Sequence, residues 1–288
     1  ISERYRSEAA SGKSLITNDT EAIAYAIVRM PATIGAAGSA MQYAADRYDS
    51  EITSVLDIGA GTGACCWAVA EIFPDVESFT CLEREKSMIS LGKSLMEKGD
   101  FPYNYNWINC DITEGFNYKA DLVTASYVLN EMPDNKQEKL ISAMWNATKK
   151  MLIIIEPGTP KGFKNILKIR EQLINSGAHI IAPCPHGNCC PLPSDDWCHF
   201  TARVSRTKLH KQLKGGDAPF EDEKYCYIAA VKEKCEPCST RVLRHPKIES
   251  GKITLKLCGS DGIYEKIVTK KDGALFKKAR KADCGNEI

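Results

Sequence analysis

The chain has no apolar run approaching the about 20 residues that a membrane-spanning helix needs. It also lacks a recognisable signal peptide, an internal repeat and any low-complexity tract. A membrane is therefore not among the expected partners. The first residue is Ile1 rather than Met, so a leader or N-terminal segment is expected to be missing from this sequence. What is present is ordinary for a globular protein: 288 residues, 43% hydrophobic and 26% charged. That length buries a proper core without help from disulfides, and holds one large α/β domain or one domain with an appendage.

The net charge is +1, but it is unevenly distributed. Residues 1–160 carry 14 Lys/Arg against 22 Asp/Glu, whereas 161–214 carry 9 against 3 and 232–288 carry 14 against 8. An acidic first half and a basic second half suggest a face able to meet a phosphate backbone. Cysteine is clustered too. Of the 13 cysteines, Cys184, Cys189, Cys190 and Cys198 fall within one short stretch. An odd count in a nucleotide-type fold, expected in a reducing compartment, points to metal rather than disulfides.

Helical periodicity runs through Thr20–Tyr48, with Pro31 expected to break or kink it. Strands and helices then alternate. Ser54–Ile58 reads as a strand, 62–73 as a helix stopped by Pro74, 77–82 as a strand and Lys86–Lys98 as a helix closed by Gly99. Strands are expected at 105–110, 121–128 and 151–155, with helices at 135–148 and 162–175. Such alternation means βαβ units and a parallel sheet. Beyond about residue 180 the regularity stops: 182–200 reads as a loop, 225–231 as a strand, and 252–258 with 263–269 as a hairpin.

The segment Asp57-Ile58-Gly59-Ala60-Gly61-Thr62-Gly63 is the end of a strand, a glycine turn and the start of a helix. Its G-x-G-x-G spacing differs from the G-x-G-x-x-G of dinucleotide proteins. It resembles motif I of the S-adenosylmethionine methyltransferases, where the loop cradles the amino-acid end of the cofactor. Glu83, ending the next strand, is placed to accept ribose hydroxyls. Asp111, ending the third, stands where the resembled class holds the adenine amine. Asn130 and Glu131, after the fourth strand, are candidates for shaping an acceptor site, although Asn130 equally suits a helix cap. No Asn-Pro-Pro-Tyr motif is present and no Pro-Cys pair stands convincingly as a nucleophile, so no catalytic base is named, and Cys110 reads as packing.

The proline-rich loop holding Cys184, His186, Cys189, Cys190 and Cys198 suits thiolate ligation, because a metal would supply its ordering energy. Both an iron–sulfur cluster and zinc, with His186 as a possible ligand, fit such a loop. Cys235-x-x-Cys238 looks like half a zinc site without its other half.

Arg29-Met30-Pro31-Ala32-Thr33, Leu56–Gly63, Leu129-Asn130-Glu131, Glu156–Phe163, Cys184-Pro185-His186, Cys190-Pro191, Arg244-His245-Pro246 and Leu257-Cys258 together resemble the methyltransferase-like proteins that assist assembly of the small ribosomal subunit in mitochondria and bacteria. The resemblance spans nearly the whole chain. It implies an α/β fold: a class I S-adenosylmethionine methyltransferase-type doubly wound sheet with N-terminal helices and a C-terminal Cys-rich/β extension. The expected divisions are 1–50 helical, 51–180 the cofactor-binding domain, and 181–288 the Cys-rich loop, last sheet strand and hairpin.

It also implies a [4Fe-4S] cluster held by Cys184, Cys190, Cys198 and Cys258, with Cys189 contesting the place of Cys190. The cluster would tie the terminal hairpin to the Cys loop. The expected role is methylation of rRNA or assembly of the small subunit, with rRNA rather than DNA as nucleic-acid partner. A non-catalytic assembly factor and a zinc-stabilised small-molecule methyltransferase are the rivals. Location is expected to be the cytoplasm in a bacterium, or alternatively the mitochondrial matrix.

Overall fold

The computed structural model describes residues 16–288; the first fifteen residues of the expected 1–50 helical segment lie outside the described residues. A long helix, α1 (Asp19–Ala45), comes first, capped by Asn18, whose side chain accepts from the Glu21 amide. Pro31 lies inside it without ending it. The missing N–H costs one backbone bond, and the stripe of Ala32, Ala36, Ala37, Ala40, Met41 and Ala44, fully or almost fully buried, holds the helix onto the core.

Then come β1 (Ser54–Ile58), α2 (Ala64–Ile72), β2 (Ser78–Glu83), α3 (Lys86–Lys98), β3 (Asn104–Asn109), β4 (Ala120–Ser126), α4 (Asp134–Ala147), β5 (Thr148–Pro157), α5 (Pro160–Asn175) and β6 (His179–Ala182). Two short 3₁₀ turns, Ile112–Glu114 and Leu129–Glu131, follow β3 and β4. The chain continues through β7 (Phe200–Ser205), α6 (Lys208–Lys214) and β8 (Phe220–Val231).

These strands form one sheet in the order β3-β2-β1-β4-β5-β8-β6, with β7 on the outer half of β8. Strands β1 to β5 pair in parallel, and β8 runs antiparallel between β5 and β6. A parallel sheet ending in one reversed strand inserted next to its last member is the arrangement of the class I methyltransferase-type fold, as the sequence implied. Near-continuous burial along β4 and β5 follows from cover on both faces. One core lies beneath α1, α2 and α3, and the other beneath α4 and α5.

A second sheet follows, of β9 (Thr240–Val242), β10 (Lys247–Glu249), β11 (Lys252–Gly259) and β12 (Gly262–Thr269), closed by α7 (Ala274–Lys281). Ile253, Leu255, Leu257 and Val268 form its own small core with Ala279, Leu275 and Phe276 of α7. The expected hairpin is thus part of a four-stranded sheet. Strands β6, β7, β9 and β10 and helices α6 and α7 lie almost wholly in stretches to which the sequence assigns no element.

Candidate functional site

Strand order reverses at β1, which pairs with β2 on one side and β4 on the other. In open α/β sheets the ligand crevice opens at the carboxyl ends of the strands at such a point. A cleft lies there, open to solvent on one side. Its walls include Gly59, Gly61, Glu83, Asp111, Tyr127 and Glu131.

The glycine loop has left-handed backbone at Gly59, Gly61 and Gly63, with φ of 66°, 57° and 83°. Glu83 pins this loop. Its Oε2 accepts from the Gly61 amide at 2.8 Å, and its Oε1 accepts from the Arg84 and Glu85 amides at 2.8 and 2.9 Å. Burial raises the Glu83 pKa above the ordinary carboxylate value, and these three N–H groups work against that rise. A carboxylate offers about four lone-pair sites, so Glu83 retains acceptor capacity toward a ligand. Asp111 lines the cleft and also caps the turn after β3, accepting from the Thr113 amide at 2.8 Å. Burial would raise its pKa, but the Thr113 bonds and the charges of Arg84 and Lys136 together outweigh it and hold the carboxyl below its usual range.

Asp57 is placed differently from the other site residues. It lies beneath the loop rather than on the cleft wall, buried, and accepts from the Thr124 hydroxyl at 2.7 Å. Burial pushes its pKa up to about 7. Gly63 is likewise off the wall, at the start of α2. Glu131 faces the cleft, whereas Asn130 does not. Burial, reinforced by the nearby charge of Glu83, raises Glu131 to about 8. Glu131 is therefore protonated at neutral pH and can donate a hydrogen bond there.

Several wall residues carried no sequence signal for this role. Tyr25 of α1 and Met88 of α3 reach the cleft, and Cys110, expected as buried packing, lines it. Tyr127 adopts a left-handed φ of 63° directly after β4. Its phenol donates to Glu223 at 3.0 Å, and Arg29 grips the same carboxylate with bonds of 3.1 and 2.7 Å.

A second cavity, of about 560 Å³, lies between α5, β8 and the second sheet. Cys184, Cys190, Cys198 and Cys258 all line it, together with His186 and Cys226, while Cys189 is exposed and absent from its wall. The structure thus gathers the four sequence-predicted cysteines, including the one sixty residues away. Arg170 and Arg241 also line the cavity, their guanidinium nitrogens turned to carbonyls around it. Arg170 donates to the carbonyls of His186 and Asn188, both at 2.7 Å, which fixes the loop's path. His186 Nε2 lies 3.7 Å from the Cys258 sulfur, and its Nδ1 is buried without a hydrogen-bond partner. Among the described residues no three Cys, His, Asp or Glu side chains converge as a single-ion site. Burial pushes the Cys258 thiol up to about 12, so it is protonated when nothing ligates it. Cys235 and Cys238 stand apart: Cys235 donates to the Arg47 carbonyl at 2.7 Å and Cys238 to that of Pro183 at 3.7 Å.

The sequence pattern of the family described as mitochondrial small ribosomal subunit Rsm22 matches residues 19–288. The chain belongs to this family. Among curated members and relatives, it is 23% identical over 163 residues to the ribosome assembly protein METTL17, mitochondrial, of Homo sapiens, covering 51% of this chain and 36% of that protein. It is 24% identical over 288 residues to the Rsm22-cox11 tandem protein 2, mitochondrial, of Schizosaccharomyces pombe, covering 81% of this chain and 38% of that protein. The chain therefore aligns with little more than a third of either relative's length. Among solved structures it is similar to the magnesium protoporphyrin IX methyltransferase ChlM of Synechocystis with bound SAH, at a TM-score of 0.47 and 14% identity, covering 81% of this chain and 94% of that one. The fold assignment rests on the strand order and not on that likeness.

Proposed function

We propose that this Rsm22-family chain is a methyltransferase-like protein that binds S-adenosylmethionine and acts on the mitochondrial small ribosomal subunit. The observation that carries the cofactor reading is the bond from the Gly61 amide to Glu83 across the cleft mouth. It brings the glycine loop and the ribose-binding acid together at the strand-order reversal. Gly59 and Gly61 would pass close to the amino-acid end, Glu83 would accept from the ribose, and Asp111 would accept from the adenine amine. Asp57 would act from below, by holding the end of β1 to β4. When bound, S-adenosylmethionine supplies an electrophilic methyl group. The ribosomal and mitochondrial parts of the reading come from family membership and the names of the relatives.

The same reading assigns a [4Fe-4S] cluster to Cys184, Cys190, Cys198 and Cys258. Four thiols around one largely apolar cavity match the donor set, and the nearby charges of Arg170 and Arg241 would offset the negative charge of a thiolate-bound cluster. The spread of these thiols suits a cluster better than a single zinc ion, and the exposure of Cys189 favours Cys190 as the ligand. The cluster would supply folding energy, tying the Cys loop to β11.

A second reading, a binding module without methyl transfer, is favoured by the state of the acceptor side. Glu131 is protonated at neutral pH, and the Tyr127 phenol is already committed to Glu223. Neither of these two groups stands ready to take a proton from an acceptor.

Calorimetry with S-adenosylmethionine tests the cleft: wild type should bind, and Gly61→Arg should not. No heat with wild type would sink the cofactor reading. Incubation with purified small subunits and methyl-labelled cofactor then separates the two readings. Label transfer lost in Glu83→Ala supports the enzyme, and subunit binding without transfer supports the module.

A further inference from the structure

The two basic stretches of sequence behave differently once folded. In the first, Arg203 pairs with Asp222 at 2.8 Å, and Arg206 and Lys214 converge on Glu221 at 3.0 and 2.5 Å. The acids of β8 thus absorb much of its charge, and Arg170 is buried against carbonyls. In the second, Lys270, Lys271, Lys277, Lys278, Arg280 and Lys281 are all exposed. Among the described residues none of these six is in an ion pair with a carboxylate.

Four of the six belong to α7, whose other side, Leu275, Phe276 and Ala279, packs on the second sheet. Packing there fixes the direction in which the cations face. Lys277 and Lys281, and Lys278 and Lys281, stand one turn apart, about 5–6 Å between Cβ atoms, which suits neighbouring charges on a polyanion chain. Lys278 and Lys281 also wall a groove of about 820 Å³ against Tyr43, Asp46 and Arg47 at the end of α1. Arg47, Arg241, Lys278 and Lys281 line it against only two carboxylates, Asp46 and Glu287, and Glu287 pairs with Arg47. Arg241 forms part of the groove's buried lining, with its guanidinium 4.9 Å from the centre of the Tyr43 ring.

We propose that the exposed face of α7 and its groove against α1 anchor an RNA strand by its phosphates. The choice of RNA among polyanions rests on the ribosomal reading above; the surface itself rests on the unpaired charges. The groove lies at the far end of α1 from Tyr25, which lines the cofactor cleft. Twenty residues of helix separate Tyr25 from Ala45, about 30 Å at the rise of an α-helix. The surface is therefore an anchor remote from the cleft and not part of it. Phosphate anchoring of this kind is independent of sequence and steeply dependent on salt.

The test measures binding of the full chain to a fluorescent single-stranded RNA of mixed sequence over a series of salt concentrations. The quadruple variant Lys277→Gln, Lys278→Gln, Arg280→Gln, Lys281→Gln should lower the slope of log affinity against log salt by about three, at about 0.7 per lost contact. A charge-matched control replaces Lys161, Lys164, Lys208 and Lys211 by Gln and should leave the slope near that of wild type. Melting curves of both variants verify folding. An unchanged slope in the α7 variant, or an equal drop in the control, overturns the proposal. So does wild type that ignores RNA and binds phosphatidylserine vesicles instead. Co-sedimentation of wild type with small subunits is scored separately, so that failure of the anchor and failure of the ribosomal reading give different results.

Discussion

Tyr127 donates its phenol to Oε1 of Glu223 at 3.0 Å, and Arg29 holds both oxygens of that carboxylate. Three elements meet in this contact: α1, the end of β4, and β8. Burial works against the charge on Arg29, but the hydrogen bond and charge of Glu223, together with Tyr127 and Tyr25, outweigh this and raise its pKa. Glu223 is 14% exposed and Arg29 34%, so the pair is only partly screened. Arg29→Ala leaves a half-buried carboxylate without its cation and should cost about 1–3 kcal/mol, less than a fully buried pair would. Tyr127→Phe should cost about 1 kcal/mol. Chemical denaturation measures both. If the pair anchors α1 over the cleft, Arg29→Ala should also weaken S-adenosylmethionine binding by more than Tyr127→Phe does.

The glycine loop separates folding from binding. At Gly59 an added Cβ would sit 2.7 Å from a methyl of Val128, whereas at Gly61 the nearest contact would be Met88 at 3.6 Å. Both positions have left-handed φ, which costs a non-glycine residue about 1–2 kcal/mol. Gly59→Ala should therefore destabilise the protein more than Gly61→Ala does. Gly61→Ala should fold, and should lose cofactor affinity because its methyl is added on the cleft wall, beside Met88. Melting curves and calorimetry on the two variants check this; equal stability losses would contradict the geometry.

The acids of the cleft predict a pH dependence. Burial, with the charges of Glu83, Glu156 and Glu85 against that of Arg84, raises Glu131 from 4.5 to about 8. The folded state thus keeps a proton that the unfolded chain releases above about pH 4.5. The contribution of Glu131 to stability is complete below that pH and is lost progressively up to about pH 8. Glu131→Gln removes this loss. It should leave stability unchanged at pH 4.5 and raise it by up to a few kcal/mol at pH 8, at about 1.4 kcal/mol per pH unit. A gain of equal size at both pH values would show that ionisation is not the cause.

The parallel half of the sheet was legible because β1, β4 and β5 are largely apolar runs, β1 and β5 closed by glycine or proline, and because G-x-G-x-G marks the strand-order reversal. The reversed half was not. Strand β8 was expected at 225–231 but begins at Phe220. Its first half, Glu221-Asp222-Glu223-Lys224, is too charged to read as a strand. It becomes one through pairing with β7, with Arg203 opposite Asp222. Strand β6, four residues long, has no periodicity to detect. At the site, Glu83 and Asp111 sit at strand ends that patterning can find. Tyr127 could be flagged only by its position after β4, and its left-handed backbone has no sequence signature. Cys258 lay beyond local spacing and was named by resemblance alone. The fold brings it to the others because β11 packs on the Cys loop, where Lys256 bonds to Asp196 at 3.2 Å and Arg244 to the same carboxylate.

That Asp196 contact makes the last prediction specific. Two kinds of tie join the Cys loop to the second sheet: the proposed cluster through Cys258, and the ion pairs of Asp196 with Lys256 and Arg244. Anaerobically purified wild type should be brown, with broad sulfur-to-iron absorption. Cys184→Ser, Cys190→Ser, Cys198→Ser and Cys258→Ser should each bleach it, whereas Cys189→Ser and Cys235→Ser should keep the colour. Asp196→Ala should keep the colour yet speed amide exchange in β11, because the cluster alone then holds the sheet to the loop. Combining it with Cys258→Ser removes both ties and should loosen β9 to β12 by more than the sum of the single effects. Retention of full colour by Cys258→Ser, or simple additivity in the double variant, would show that the sheet does not depend on a ligand held at that cavity.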